Sequence, residues 1–204
     1  MTSARRGRPR DDSVDERVLA AAVEELAEKG IAEFSITSVA ARARAAKRSI
    51  YARWPRREDL ILAGMSTLAA GLVPPRTGTI TGDLTILLDQ VAAVFVEPRR
   101  SILQRCAAEI AEYPGMYAAF KRDSVDRCLA AIEDALHDAI TRGEIRGDID
   151  PGVAADTLTG TVMLRASFNT AEVLPVPQRE QLIRLLLDGL RPRGRAATAP
   201  RCAR

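Results

Sequence analysis

From Asp12 to Lys29 the apolar residues Val18, Leu19, Ala22, Val23, Leu26 and Ala27 recur at helical spacing, with Asp15, Glu16, Glu24, Glu25 and Glu28 on the opposite face. The pattern predicts a first helix of about five turns at 1.5 Å per residue, stopped by Gly30. Ser35 stands between Phe34 and "ITSVAARA", as an N-cap should, and Phe34 is placed to staple onto Val39. A short second helix over 36–43 follows. After "RAA", the stretch "KRSIYARW" puts Ile50 and Trp54 four apart on one face, which predicts a third short helix. Pro55 breaks it, and "RREDLILAGMSTLAAGL" restarts with Glu58 and Asp59 in the first turn, where the helix dipole favours acids. This fourth helix is expected to reach about Leu72.

The Pro-, Gly- and Thr-rich "VPPRTGTITG" marks an internal boundary, and helical spacing resumes over 83–97, 100–112 and 115–142, with Pro98 and Pro114 as breaks. Gly143 closes the seventh helix, and Asp150 with Pro151 starts an eighth, over 151–170. The ninth, over 178–190, carries Leu182, Ile183, Leu185, Leu186, Leu187 and Leu190, a band wider than one core-facing stripe needs. Its surplus is expected to face a partner. Strand signals are nearly absent, so the chain reads as all-α with about nine helices. The expected organisation is a basic arm (1–11), a small helical domain (12–58), a larger helical domain (59–190) and a basic tail (191–204).

Charge changes this picture more than composition does. The net formal charge of the 204 residues is only +3, but like charges are grouped. Residues 1–10 carry four arginines and no acid, 11–33 have eight acids against two bases, and 34–57 have seven bases and no acid. The opening "MTSARRGRPR" leads into acids rather than an apolar run, and no stretch is apolar for the roughly 18 residues a membrane span needs, so a cytoplasmic protein is expected. Cys106, Cys128 and Cys202 are odd in number and widely spaced, which fits a reducing compartment, with Cys106 and Cys128 expected as buried apolar side chains and Cys202 exposed in the tail. With His137 as the only histidine, no Cys/His zinc set and no cofactor are expected.

Two short helices joined by a tight turn, the second of them basic, describe a helix-turn-helix whose second helix enters the DNA major groove. On that reading Ile50 and Trp54 anchor the helix, Tyr51 donates to a phosphate, and acids are missing because DNA carries one charge per about 1.7 Å. The stretch "SITSVAARARAAKRSIYARWPRREDLI" resembles the DNA-binding motif of TetR-family repressors, and "RGEIRGDIDPGVAADTLTG" resembles the start of a dimerising helix in that family. The resemblance implies that Ser35 and Val39–Ala40 sit in the second helix, that Lys47, Arg48 and Ser49 face base edges, and that Tyr51 and Arg57 bind phosphate. Arg53 and Arg56 belong to the same basic face, and Arg5, Arg6 and Arg8 form an arm resembling an AT-hook core, or else a non-specific basic tail. Where the family usually has Gly, an apolar residue and Ser or Thr at the turn, this chain has Arg44, Ala45 and Ala46. A left-handed Arg44 would cost roughly 1 kcal/mol, and Ala46 has no capping oxygen.

The same resemblance implies a homodimer, built on 151–170 and 178–190, that reads a pseudo-palindromic operator. It also implies release by a small apolar or amphipathic effector held among the fourth to eighth helices. Phe95, Cys106, Tyr113, Met116, Phe120 and Phe168 are candidates to line such a pocket, and core packing is the competing explanation for each. Arg165 either meets an acidic ligand group or pairs with an acid of its own or a partner chain. An enzyme built on Glu109 and Glu112 lacks any nucleophile–base set. A nucleoid-type protein binding DNA without sequence preference is the remaining alternative.

Overall fold

The computed structural model describes residues 12–69, 72–168 and 174–191. The arm with Arg5, Arg6 and Arg8, and the tail with Cys202, lie outside the described residues. The helices are α1 (Asp12–Lys29), α2 (Ile36–Arg42), α3 (Lys47–Tyr51), α4 (Arg57–Ala69), α5 (Ile80–Val94), α6 (Arg99–Ile110), α7 (Pro114–Phe120), α8 (Asp126–Arg142), α9 (Pro151–Phe168) and α10 (Val176–Leu190). A π-helical segment, Lys121–Val125, joins α7 to α8. No strand occurs among the described residues, and none of their helices is long and apolar enough to cross a membrane.

The chain divides into two compact units: residues 1–70 with 97–124, and residues 71–96 with 125–204. In the first, Val18, Ala22 and Leu26 of α1 are buried together with Ile31, Phe34, Val39, Ile50, Leu60, Ile61 and Met65. These are the stripe, staple and anchor positions of the apolar pattern, and burying such side chains supplies about 1.5–3 kcal/mol each. α6 and α7 add Ile102, Cys106, Ile110 and Met116 to the same unit. The boundary expected after residue 58 lies within α4, and the first unit holds the whole of α4 together with α6 and α7, the former beginning at Arg99.

In the second unit α8 packs on α5 and α9, and α10 packs on α5. Leu84, Leu87, Leu88, Ile132, Leu136, Leu158, Val162, Ile183 and Leu187 form its core. Buried Asp83 accepts from the N–H and hydroxyl of Thr77, both at 2.8 Å, and Glu144 accepts from the Ile80 N–H at 2.8 Å. These contacts begin α5 at Ile80, three residues before the expected start, with Thr79 as its N-cap. The expected 115–142 helix is interrupted by the π segment. Its two halves bury their faces in different units, and the extra residue of a π turn changes the register between them.

Candidate nucleic-acid interface

α2 and α3 are the two short helices of the expected motif. Ser35 caps α2, its hydroxyl accepting from the Ser38 N–H at 3.4 Å. α2 closes in a Schellman arrangement: the Ala45 N–H donates to the Ala40 carbonyl at 3.0 Å and the Arg44 N–H to the Ala41 carbonyl at 3.2 Å. This closure requires a left-handed residue at the position Arg44 occupies, and Arg44 has φ +50°. The cost anticipated from the sequence, roughly 1 kcal/mol relative to glycine, is therefore present. Ala46 stands at the N-cap of α3 with no side-chain cap bond, also as anticipated.

α3 is only five residues long and buries Ile50 at 1% exposure. Trp54 lies beyond the helix rather than in it and is half-buried; its N–H still bonds the Ile50 carbonyl at 2.8 Å. Tyr51 is 47% exposed, Lys47 and Arg48 are exposed, and Ser49 is half-buried.

The seven bases of residues 34–57 fall into two groups. Four are tethered. Arg42 pairs with Glu28 and with Glu24 and Glu25 of α1 at 3.6 and 3.5 Å, and the Ser38 hydroxyl donates to buried Glu25 at 2.5 Å. The Arg42 hydrogen bond holds the Glu28 carboxyl below its ordinary range. Arg53 pairs with Asp15, tying the chain after α3 back to α1. Arg56 pairs with Asp59 at 2.5 Å, which lowers the Asp59 pKa. Arg57 donates to the carbonyls of Phe34 and Ala32 at 3.0 Å each, and to that of Ile31. In the expected phosphate ligand Arg57 the guanidinium is thus engaged by the α1–α2 turn, and its Cζ lies 6.0 Å from the Phe34 ring centre. Arg44, Lys47 and Arg48 are the other group, and none has an ion pair or side-chain hydrogen bond to any described residue.

A second set of contacts, invisible in the local pattern, holds the same turn. Gly30 ends α1 at φ +71°, and a Cβ there would collide with the Glu109 carboxylate. Glu109 of α6 accepts from the N–H groups of Ile31 at 2.5 Å and Ala32 at 2.9 Å. Arg105, one turn earlier, donates to the last carbonyls of α1, Ala27 at 3.2 Å and Glu28 at 3.1 Å. Partial burial alone would raise the Glu109 pKa, but the two backbone donors and Arg105 outweigh it and leave it lowered. Glu109 is thus a structural acceptor. The sequence shows Glu109 and Arg105 only as an i, i+4 pair on α6, and their partners lie 77 and 78 residues away.

The expected pocket residues do not gather in one unit. Cys106, Tyr113, Met116 and Phe120 belong to the first; Phe95, Arg165 and Phe168 belong to the second. Phe168 is 81% exposed. Arg165 is half-buried and has no partner among the described residues. Burial pushes the Cys106 thiol up to about 12 and that of Cys128 to about 11, so both behave as apolar side chains at neutral pH. His137 is exposed, its Nδ1 2.9 Å from the Glu133 carbonyl. On α9 and α10, Val153, Met163, Leu164, Phe168, Val176 and Leu185 are exposed, the last at 74%. No cluster of three or more metal-ligating side chains occurs among the described residues.

A capped short helix, a tight turn and a basic second short helix, carried by a helical bundle, define a helix-turn-helix DNA-binding regulator. Residues 18–63 match the family described as bacterial regulatory proteins of the tetR family, and residues 74–199 match the tetracyclin repressor-like C-terminal domain. An uncharacterized HTH-type transcriptional regulator of Mycobacterium tuberculosis is 30% identical over 164 residues, covering 78% of this chain and 81% of that protein. A TetR family transcriptional regulator from Pseudomonas syringae superposes with a TM-score of 0.65 at 21% identity, over 88% of this chain and 96% of the other. The fold also matches Bacillus subtilis FadR in complex with stearoyl-CoA, at TM-score 0.60 and 17% identity, over 86% and 99% of the two chains. The chain belongs to the TetR family of DNA-binding transcriptional regulators, and neither the family nor these relatives are enzymes.

Proposed function

We propose that this chain is a homodimeric, sequence-specific repressor that a small apolar or amphipathic effector releases from a pseudo-palindromic operator, acting in the cytoplasm. The observation that carries the DNA reading is the sorting of cations around α3. Arg42, Arg53, Arg56 and Arg57 brace the motif internally, whereas Lys47 and Arg48 remain exposed beside Ser49 and the hydroxyl of Tyr51. Lys47, Arg48 and Ser49 read base edges; Tyr51, with Ser35 at the cap of α2, contacts phosphate; Arg53 and Arg56 add positive potential while paired, and Arg57 positions the turn. Arg5, Arg6 and Arg8 supply a basic arm that adds affinity.

The dimer reading rests on the exposed apolar row of α9 and α10, which extends the surplus seen in the leucine band. Effector release draws support from FadR, a relative in fold that holds stearoyl-CoA, a ligand with an apolar chain and an anionic head. Such a ligand calls for apolar side chains and one cation: the candidates Cys106, Tyr113, Met116 and Phe120 stand in the first unit, and Phe95 with Arg165, unpaired among the described residues, in the second. Effector and operator would then oppose each other by one coupling free energy.

The test is fluorescence anisotropy of the full chain on the DNA upstream of its own gene, with excess unrelated DNA at about physiological salt. Binding that survives the competitor supports the repressor reading. Binding that titrates away with bulk DNA favours the nucleoid-type alternative, and retained binding that no acyl-chain ligand releases overturns the effector part.

A further inference from the structure

Resting on the DNA-binding reading, we propose that Arg44 is itself a DNA contact: the turn residue of the motif holds a backbone phosphate. The hydrogen bonds that close α2 demand a left-handed residue at this position, and glycine meets that demand without strain. This chain instead carries the longest cationic side chain at φ +50°. Nothing among the described residues offsets the strain. Arg44 is exposed and makes no ion pair or side-chain hydrogen bond to any described residue, so neither packing nor an internal acid accounts for an arginine there.

Its surroundings point the same way. The three untethered cations of residues 34–57 are Arg44, Lys47 and Arg48, all within five residues that span the turn and the start of α3. Every other base of the stretch is held by an acid or by backbone carbonyls. A free guanidinium on the exposed turn between two DNA-reading helices has one partner of matching chemistry, the anionic oxygens of the duplex, which a planar fork can hold in bidentate fashion. A phosphate contact at this position would be independent of base sequence. Native Arg44 therefore trades folding stability for DNA affinity.

The experiment compares the full chain with Arg44→Gly and Arg44→Lys on two fluorescein-labelled duplexes, the DNA upstream of its own gene and a mixed-sequence duplex, between about 50 and 200 mM salt. Thermal unfolding is followed in parallel. Arg44→Gly should melt higher, by about 2 °C, yet bind both duplexes more weakly, with the salt slope shallower by about 0.9 per lost contact and thus by nearly two for a dimer. Arg44→Lys should retain the slope of the native chain. Opposite signs for stability and affinity are what a purely structural turn residue cannot produce. An unchanged slope in Arg44→Gly overturns the proposal, as does a loss confined to particular base pairs, which would make Arg44 a base reader. If the native chain binds neither duplex, the DNA-binding reading itself fails; if it binds and Arg44→Gly binds equally well, only the Arg44 assignment falls.

Discussion

The basic face around α3 and the apolar face of α9 and α10 are both surplus to the fold of their own unit, but the surplus takes different forms. Around α3 the chain spends most of its arginines on itself: Arg42, Arg53, Arg56 and Arg57 bind acids or carbonyls of α1, α4 and the turn between α1 and α2. Three cations are left over, Arg44 on the turn and Lys47 and Arg48 at the start of α3. On α9 and α10 the surplus is apolar: Val153, Leu164, Phe168 and Leu185 stand exposed. The difference teaches what each surface needs from its partner. A charged partner is read by a few directional groups whose positions must be fixed beforehand, whereas an apolar partner is held by area, which asks only for many side chains on one side.

That contrast can be broken most forcefully on the apolar side. The double substitution Leu164→Glu with Leu185→Glu should leave helical content intact and abolish the proposed dimer, and with it operator binding by more than about 100-fold, because each burial in a two-fold interface would be worth about 1.5–3 kcal/mol and occur twice. Light scattering and anisotropy on the same samples check both halves. A dimer that survives would mean the row serves another purpose.

Next in size are the braces of the turn. Glu109→Ala strands the N–H groups of Ile31 and Ala32 and should destabilise the chain by about 1–3 kcal/mol in urea unfolding. Arg57→Ala strands carbonyls of the same turn and should cost a comparable amount. Both should weaken DNA binding only through the loosened motif, so that osmolyte stabilisation recovers much of it. The Glu109 brace also carries a pH signature. Its folded-state pKa is lowered from the ordinary 4.5, so its contribution is complete above that value and is lost as pH falls through the lower folded value. The stability difference between the native chain and Glu109→Ala should therefore shrink as pH falls from 4.5 through the lower folded value.

Smaller in stability, but sharper for the comparison, is Lys47→Ala: it should leave the unfolding midpoint unchanged, weaken the operator by roughly tenfold, and relax choice at particular base pairs in a selection experiment. Tyr51→Phe should instead weaken all sequences alike. The smallest effect is expected at Arg56. Its pair with Asp59 is an exposed i, i+3 contact, so Arg56→Ala should not move the midpoint measurably, while the salt dependence of DNA binding shifts slightly.

The helices themselves were legible because their signals are local. A 3.6-residue apolar period, Ser35 and Asp150 as caps, Gly30 and Gly143 as stops and the breaks at Pro98 and Pro114 each act within a few residues, and the structure has an element edge at every one. The surplus leucine of the last helix was legible too, since a band too wide for one stripe must leave something outside, and Leu185 is what it left. Even the strain at Arg44 followed from one unusual residue in a turn of known shape.

Which arginines are free was decided only by tertiary structure. In the sequence Lys47, Arg48, Arg53 and Arg57 are equivalent positive charges on one acid-free stretch, and all four read as DNA ligands. Asp15 lies 38 residues before Arg53, and the carbonyls that occupy Arg57 lie 23 to 26 residues before it, so their partners exist only once α1 has packed on α4. The brace from Glu109 and the inclusion of α6 and α7 in the N-terminal unit have the same origin. Periodicity records which face of a helix is buried; it carries no record of which distant polar group that face will meet, because hydrogen bonds and ion pairs depend on three-dimensional approach within a few ångströms rather than on spacing along the chain.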